Sequence, residues 1–175
     1  MTVDISDIIS NEDRDRTVEV CLELEHITSR LGEFPVVEKE AFPLRIANLG
    51  NKRLRIEGVT SLVIHIPCDR CLTEVATQFP IEIFKEMDLE KLAAGDSEEQ
   101  ESTSYMIGKE LDVDQLIFGE ILVSWPMKVL CREDCAGICK RCGANLNLAP
   151  CQCQKTEPDP RMAAIQDIFN QFKEV

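Results

Sequence analysis

Six of the nine cysteines in this chain lie within residues 131–153, in the string CREDCAGICKRCGANLNLAPCQC. So many thiols in so short a stretch restrict its role to disulfide staples, redox chemistry or metal binding. No apolar run approaches the roughly 20 residues that span a bilayer, and residues 1–10, MTVDISDIIS, carry acids and no base, unlike a secretory signal. We therefore predict a cytoplasmic protein with no membrane association. A reducing compartment favours metal-binding or catalytic cysteines over disulfides.

The chain combines enough apolar residues for a core with a strong negative charge. Hydrophobic residues make up 44% of its 175 residues, a proportion typical of folded domains. The formal net charge is −13, and a field of that sign repels nucleic-acid phosphates and attracts basic partners. Negative charge also serves solubility alone, so by itself it does not identify a partner.

The first half of the sequence predicts antiparallel β-structure. Residues 17–25, TVEVCLELE, alternate apolar and polar side chains, as a half-buried strand does. Residues 43–68 indicate a strand, a turn at Gly50 and a second strand. Residues 75–84 continue the pattern, with Pro80 typical of an edge strand or a bulge. The predicted fold class is therefore α+β, with an antiparallel β meander or small barrel in the N-terminal half.

The second half predicts one loop and one helix before the cysteines. Residues 88–104 are acidic, small and polar, which indicates an exposed loop. Apolar residues then recur at helical spacing over residues 113–125, where Asp112 is placed to cap the helix and Pro126 to end it.

The C-terminal end predicts a further, amphipathic helix over residues 160–173. An apolar stripe at helical spacing supports it, made of Met162, Ile165, Ile168, Phe169 and Phe172. We divide the chain into a mainly β domain, residues 1–126, and a cysteine-rich zinc-knuckle segment with this helix, residues 127–175.

The last four cysteines have the spacing of a zinc ribbon. Cys139 and Cys142 form C-x-x-C, in which one tight turn directs two thiolates at one metal, and Gly143 tolerates the positive φ that such turns need. After a short loop, Cys151 and Cys153 form C-x-C. Two ligand pairs separated by a short loop indicate a tetrathiolate zinc site.

Four further cysteines make a second site possible. The C-x-x-C motif CDRC at Cys68 and Cys71 could also be a redox motif, but that chemistry requires a following helix, and here the following residues alternate as a strand. Three pairings of the cysteine pairs are possible, and we favour a grouping of the CDRC pair with Cys131 and Cys135. An alternative groups the consecutive cysteines of the C-terminal segment. The predicted ligands are Cys68, Cys71, Cys131, Cys135, Cys139, Cys142, Cys151 and Cys153, whereas the ninth cysteine, Cys21, is predicted to be a bystander.

The predicted cofactor is zinc, as one or two structural ions. All-sulfur ligation is typical of structural zinc, because a catalytic zinc keeps one position open for water. The sequence shows no nucleophile–base pair, phosphate-binding glycine loop or paired-acid motif. We therefore predict a protein that is not an enzyme and has no small-molecule substrate.

The cysteine pattern resembles the YceD family of large ribosomal RNA subunit accumulation proteins. The resemblance rests on CDRCL at 68–72, GICKRCGANLN at 137–147, CQC at 151–153 and DPR at 159–161. It implies a role in the production or stability of large-subunit ribosomal RNA. Members of that family are often encoded beside a small, basic zinc-ribbon protein of the large subunit.

Together, charge and resemblance predict a non-enzymatic assembly factor for 23S ribosomal RNA that binds a basic large-subunit ribosomal protein. One alternative is direct contact of the zinc knuckle with precursor RNA through Arg132, Lys140 and Arg141. A zinc or thiol redox sensor is another. Against direct RNA contact, a tetrathiolate site is net negative and offsets the small basic surplus of its own segment.

Overall fold

The computed structural model describes residues 1–94, 103–153 and 165. Over these residues the backbone is mostly antiparallel sheet with few helices, and none of the described helices is long and apolar enough to cross a membrane. In chain order the elements are β1 (Thr2–Asp4), α1 (Ser6–Ile9), β2 (Asp15–Val20), β3 (His26–Ser29), β4 (Gly32–Lys39), β5 (Phe42–Asn48), β6 (Arg53–Pro67), β7 (Glu74–Asp88), α2 (Leu89–Ala94), β8 (Met106–Ile107), β9 (Glu110–Asp112) and α3 (Val113–Val123).

The longest feature is the hairpin of β6 and β7, which we call the ribbon. Both strands have 15 residues and pair in continuous register from Arg53 opposite Asp88 to Pro67 opposite Glu74. The second edge of β6 is shared by β5 and β4, and β2 and β3 extend the sheet beyond them. Within the described residues this six-stranded sheet is open rather than a closed barrel. A smaller sheet has the strand order β1-β9-β8.

The core forms where the inner face of the large sheet meets the helices and the small sheet. Successive side chains of a strand point to opposite faces, and the apolar residues of the ribbon occupy the inward face. Ile56 and Ile64, for example, have no exposed surface. Burial of one such side chain contributes about 1.5–3 kcal/mol. Gly58 leaves room for its neighbours, since a Cβ there would lie 3.0 Å from Leu44 Cδ1 and 3.4 Å from a ring atom of Phe42.

Helix α3 lies where the sequence predicts a helix. Asp112 has an extended backbone, and its carboxylate accepts a hydrogen bond of 3.1 Å from the backbone amide of Gln115, as an N-cap does. The helix ends two residues before the predicted boundary. Beyond it, the Trp125 ring packs 4.9 Å from the Phe34 ring and 5.5 Å from the Phe79 ring. These contacts bring the chain onto the large sheet just before the cysteine-rich segment.

Other predictions need correction. Strand β2 ends at Val20, so the predicted strand over 17–25 is wrong for its last five residues, because the partner strand β5 has no residue opposite them. The predicted loop over 88–104 begins too early, since β7 continues to Asp88 and α2 follows. Residues 95–102 of that loop lie outside the described residues, as does the predicted helix over 160–173 apart from residue 165.

The prediction for Pro80 is confirmed in its first form. Strand β7 pairs only with β6 among the described residues, so Pro80 lies on an edge strand, the position in a sheet where proline is tolerated. The register passes through Pro80 opposite Ser61 without a bulge. The division of the chain at residue 126 stays a prediction.

Candidate metal centres

The first group of cysteines forms around the turn between β6 and β7. We call Cys68, Cys71, Cys131 and Cys135 the first cluster. In this turn the amide of Cys68 donates to the carbonyl of Thr73 at 2.8 Å, and the amide of Leu72 donates to the carbonyl of Cys68 at 2.9 Å. Leu72 has a φ of 61°. This tight turn places the two sulfurs of the CDRC motif on one side of the ribbon's tip.

A segment after α3, residues 127–138, brings the other two cysteines to that tip, and we call it the strap. Asp69 holds it with two hydrogen bonds. The amide of Asp69 donates to the carbonyl of Val129 at 2.9 Å, and the amide of Val129 donates to the Asp69 carboxylate at 2.7 Å. Arg70 Nη1 donates to the carbonyl of Cys135 at 2.9 Å. The residues between the two CDRC cysteines therefore fix the position of the strap.

The strap also packs closely against the turn at Gly137. The carbonyl of Arg70 accepts a hydrogen bond of 3.1 Å from the amide of Ile138. A Cβ on Gly137 would lie 3.0 Å from that same carbonyl oxygen, and its φ of 77° is in the left-handed region. Both observations require glycine at this position.

The sulfur positions of the first cluster fit a tetrahedral metal site. The Sγ atoms of Cys68 and Cys135 are 3.9 Å apart, those of Cys71 and Cys131 are 3.5 Å apart, and all four lie within 4.8 Å of one another. Four sulfurs bound at about 2.3 Å to one zinc stand about 3.8 Å apart, whereas a disulfide requires about 2.05 Å. All nine cysteines are free thiols. The site is shielded from solvent, since only Cys131 of the four is exposed.

The second cluster, Cys139, Cys142, Cys151 and Cys153, is built from one short stretch of chain. The amide of Gly143 donates to the carbonyl of Cys139 at 2.9 Å, and the amide of Cys139 donates to the carbonyl of Ala144 at 2.8 Å. Gly143 has a φ of 73°, the left-handed conformation that the sequence predicts. The four Sγ atoms lie within 4.8 Å of one another. This cluster is more open than the first, since its cysteines are half-buried or exposed.

Each cluster combines a cysteine that favours the thiolate with one that retains its proton. Burial raises the pKa of the Cys68 thiol, but neighbouring backbone amides outweigh it and lower the pKa to about 6. Burial and the adjacent sulfurs raise the pKa of Cys131 to about 12. In the second cluster, backbone amides of the knuckle lower the pKa of Cys139 to about 6, and a hydrogen bond with a neighbouring sulfur, together with burial, raises that of Cys153 to about 12. Four adjacent thiolates repel one another, and a divalent cation removes that repulsion.

The structure brings the eight predicted ligands together in the favoured grouping. The alternative set of consecutive cysteines does not form, because Cys131 and Cys135 lie with the CDRC pair. Cys21 is exposed and belongs to neither group. A strand rather than a helix follows Cys71, as the argument against thioredoxin-like chemistry requires. Both sets could hold a metal ion, and tetrahedral sulfur ligation is typical of zinc or of iron–sulfur centres. That they bind one, and which one, stays a prediction.

Sequence reasoning missed several residues that position the ligands. It treated residues 143–150 as a plain loop. In this loop, however, Asn147 donates to Cys135 Sγ of the first cluster, and Asn145 donates to the hydroxyl of Thr73 beside that cluster. It also assigned no role to Asp69. Arg132, a predicted RNA contact, lies 3.3 Å from Asp134 and donates to Asn147 at 2.9 Å, so it also supports the strap.

Comparisons with known proteins converge on one family. The protein-family model described as "Large ribosomal RNA subunit accumulation protein YceD" matches residues 56–169 of this chain, a range that contains both clusters. A relative in Arabidopsis thaliana, named "Large ribosomal RNA subunit accumulation protein YCED homolog 1, chloroplastic", is 26% identical over 70% of this chain and 46% of its own length. No solved structure matches the chain significantly.

Bacterial relatives are known without a described function. An uncharacterized protein of Mycobacterium tuberculosis is 25% identical over 58% of this chain and 49% of its own length. One of Mycobacterium leprae is 26% identical over 70% of this chain and 58% of its own length. The chain spans about half the length of the curated relatives it matches.

Proposed function

Because this chain belongs to the YceD family of large ribosomal RNA subunit accumulation proteins, we propose that it is a non-enzymatic assembly factor of the large ribosomal subunit. The family name implies a role in the accumulation of large-subunit ribosomal RNA. In this proposal the protein acts in the cytoplasm and supports 23S ribosomal RNA indirectly. It holds a basic large-subunit ribosomal protein against an acidic surface of its own.

The observation that carries this proposal is an acid-rich edge beside the large sheet. It consists of the exposed acids Glu19, Glu23, Glu25, Glu38 and Glu40. They come together because β2 and β5 pair up to Val20 opposite Phe42, and because the amide of Val36 donates to the carbonyl of Glu25 at 2.8 Å. Two cations lie among these acids. The N-terminal ammonium of Met1 is 3.1 Å from a carboxylate oxygen of Glu23, and Lys39 donates its ammonium to the carbonyl of Leu24 at 2.9 Å. Such a surface attracts a basic partner and repels RNA.

The cysteine clusters serve a structural role in this proposal. Zinc in each cluster fixes the strap and residues 139–153, the segment of the second cluster, which we call the second knuckle. Ile138 of the strap and Leu148 of the second knuckle are exposed, which shows how little apolar burial these segments have of their own. The Sγ separations of 3.5 and 3.9 Å support metal ligation. Four cysteine ligands fill all four positions of a tetrahedral zinc ion and leave none open for water or substrate, as is typical of structural zinc.

A binding assay with matched charge variants tests the acidic surface. Purified basic large-subunit ribosomal proteins are titrated one at a time, at several salt concentrations, against the protein and its triple variant Glu19→Gln, Glu38→Gln, Glu40→Gln. We expect the affinity for one of these ribosomal proteins to fall at least about tenfold in the variant. Each of the three substitutions removes a possible surface ion pair, and each such pair contributes up to about 1 kcal/mol. We also expect wild-type binding to weaken as salt rises.

The control removes the same amount of charge elsewhere. Its substitutions are Glu12→Gln, Glu82→Gln and Glu133→Gln, all at exposed positions outside the acid-rich edge. Binding by this control should stay within about threefold of wild type, given the small effect of single exposed charges. The proposal is wrong if no basic ribosomal protein binds, or if both triple variants lose affinity equally.

One observation favours direct RNA contact as a second candidate. A cavity of about 370 Å³ opens beside the second cluster, lined by apolar residues such as Ile138 and Leu146 and by the basic Lys140 and Arg141. An unstacked base could enter it while the two cations contact phosphate. RNA binding that weakens steeply with salt, and whose salt slope flattens in Lys140→Gln, Arg141→Gln, supports this candidate. Binding without that change excludes it.

A further inference from the structure

The loop of the second cluster, residues 143–150, reaches back to a sulfur of the first cluster. Asn147 Nδ2 donates to Cys135 Sγ at 3.3 Å. Asn147 Oδ1 accepts from the backbone amide of Ala136 at 2.8 Å and from Arg132 Nη2 at 2.9 Å. The side-chain amide is thus held by three contacts with the strap, and one of them is to a predicted ligand.

Asn145 fixes the orientation of that amide. Its Oδ1 accepts from both the backbone N–H and the Nδ2 of Asn147, each at 2.9 Å. Its own Nδ2 donates to Thr73 Oγ1 at 3.3 Å, and that hydroxyl is hydrogen-bonded to Cys71 Sγ at 3.3 Å. One loop therefore contacts both cysteine pairs of the first cluster, through Asn147 directly and through Asn145 by way of a hydroxyl.

The ends of this loop belong to the other cluster. Residues 143–150 connect Cys142 with Cys151, so ligands on both sides of the loop must converge whenever the second cluster closes on an ion. Closing a loop removes chain conformations, and here it keeps Asn147 beside Cys135. A hydrogen bond from N–H to a thiolate stabilises the charged form that a metal ion binds. Order at the second cluster thereby favours ligation at the first.

We propose that Asn147 couples the two clusters, so that a thiophilic divalent cation bound at the second cluster raises the affinity of the first cluster for its own cation. Coupling of this kind is reciprocal, because each site biases the same loop. Asn147 is a positioning residue in this scheme, acting on the metal through the sulfur of Cys135. The inference rests on the metal binding proposed above.

The test is a double-mutant cycle with Cd²⁺ as the probe. Cadmium NMR follows each cluster separately while a graded chelator removes the ion. The first variant, Cys151→Ser with Cys153→Ser, disables the second cluster. The second, Asn147→Asp, keeps the acceptor oxygen but loses the donor to sulfur. The third variant combines all three substitutions. We expect each single perturbation to weaken Cd²⁺ at the first cluster about 10- to 100-fold, the usual effect of losing a contact to a metal ligand. The combined variant should lose little more than either alone. Asn147→Asp should also shift the cadmium resonance of the first cluster and leave that of the second in place.

A control separates the amide from charge on the loop. Asn145→Asp adds the same charge nearby and keeps both acceptor contacts to Asn147. Its effect on the first cluster should be smaller, and an equal effect would overturn the role of Asn147. The coupling also fails if disabling the second cluster leaves the first unchanged, or if the two losses simply add. If wild-type protein binds no Cd²⁺ at either cluster, the metal proposal itself fails, which is a different result.

Discussion

Stripping metal from both clusters should release the strap and the second knuckle while the sheets stay folded. The reason is how little of the core depends on them. Among the described residues beyond Pro126, only Val129 belongs to the main hydrophobic core. Its burial is worth about 2 kcal/mol, and its two hydrogen bonds with Asp69 add about 0.5–1.5 kcal/mol each. The loss of roughly 4 kcal/mol is below the 5–15 kcal/mol by which domains are usually stable.

Amide hydrogen exchange at residue resolution measures this directly. Metal-loaded protein is compared with protein stripped by chelator under reducing conditions. The amide of Ile138 donates from the strap to the carbonyl of Arg70, and the amide of Leu146 donates to the carbonyl of Gly137. Both amides should exchange as in an unfolded chain once the strap is released. Amides of the ribbon should speed up by no more than about 1000-fold, the factor that corresponds to 4 kcal/mol.

Cysteine substitution gives the matched control for this experiment. Cys21→Ser removes an exposed thiol that belongs to neither cluster, so its exchange pattern should equal that of wild type. Cys139→Ser should reproduce the stripped pattern in the second knuckle. If ribbon amides lose all protection together with the strap, the sheets depend on the metal and the reasoning from Val129 is refuted.

Three further predictions concern ligand protonation, backbone fit and capping. Metal loading at pH 7 should release protons, and the affinity for metal should rise with pH. The reason is that the pKa values of Cys131 and Cys153 are raised to about 12, and both bind metal only as thiolates. Calorimetry in buffers of different ionisation heat detects the released protons, and proton uptake would contradict the prediction. Gly137→Ala should destabilise the first cluster by about 1–3 kcal/mol, because its φ is positive and the added Cβ would lie 3.0 Å from the carbonyl oxygen of Arg70. Gly108→Ala is the control: its φ is also positive, but the added Cβ meets open space. This control should lose less stability in urea unfolding and retain metal. Asp112→Ala should cost about 1 kcal/mol through loss of the helix cap, seen as a lower urea midpoint with unchanged metal content.

The ribbon and α3 could be predicted because their signals are local. Alternation over β6 and β7 follows directly from one buried face, and Asp112 caps its helix through a neighbouring amide. The hairpin of β3 and β4 was not predicted. Its turn contains Arg30 and Leu31 rather than a typical Asn-Gly or Asp-Gly pair. Of its two strands, β4 pairs with the distant β6, and β3 joins the sheet only through β4. Pairing partners of this kind are a property of the folded chain.

The cysteine grouping was partly accessible to sequence reasoning. The spacing of the second cluster is that of a local ribbon, and the favoured first cluster followed by pairing what remained. Nothing in the spacing showed that Asp69 holds the strap, since that contact joins residues 60 positions apart. The role of Asn147 could not be predicted either. In the sequence it is one polar residue of a short loop, and only the fold places its amide beside a sulfur.

The length of the ribbon separates its two ends. At a rise of about 3.3 Å per residue, the 15 residues of β6 describe a path of roughly 46 Å from the turn near Lys52 to the sulfur-rich tip. A compact protein of about 100 residues has a radius of gyration near 13 Å, so a body of that size seated at one tip leaves the other free for a different contact. Fluorescent labels at the two tips would therefore act as a molecular ruler, reporting any bend along the strand pair that joins them.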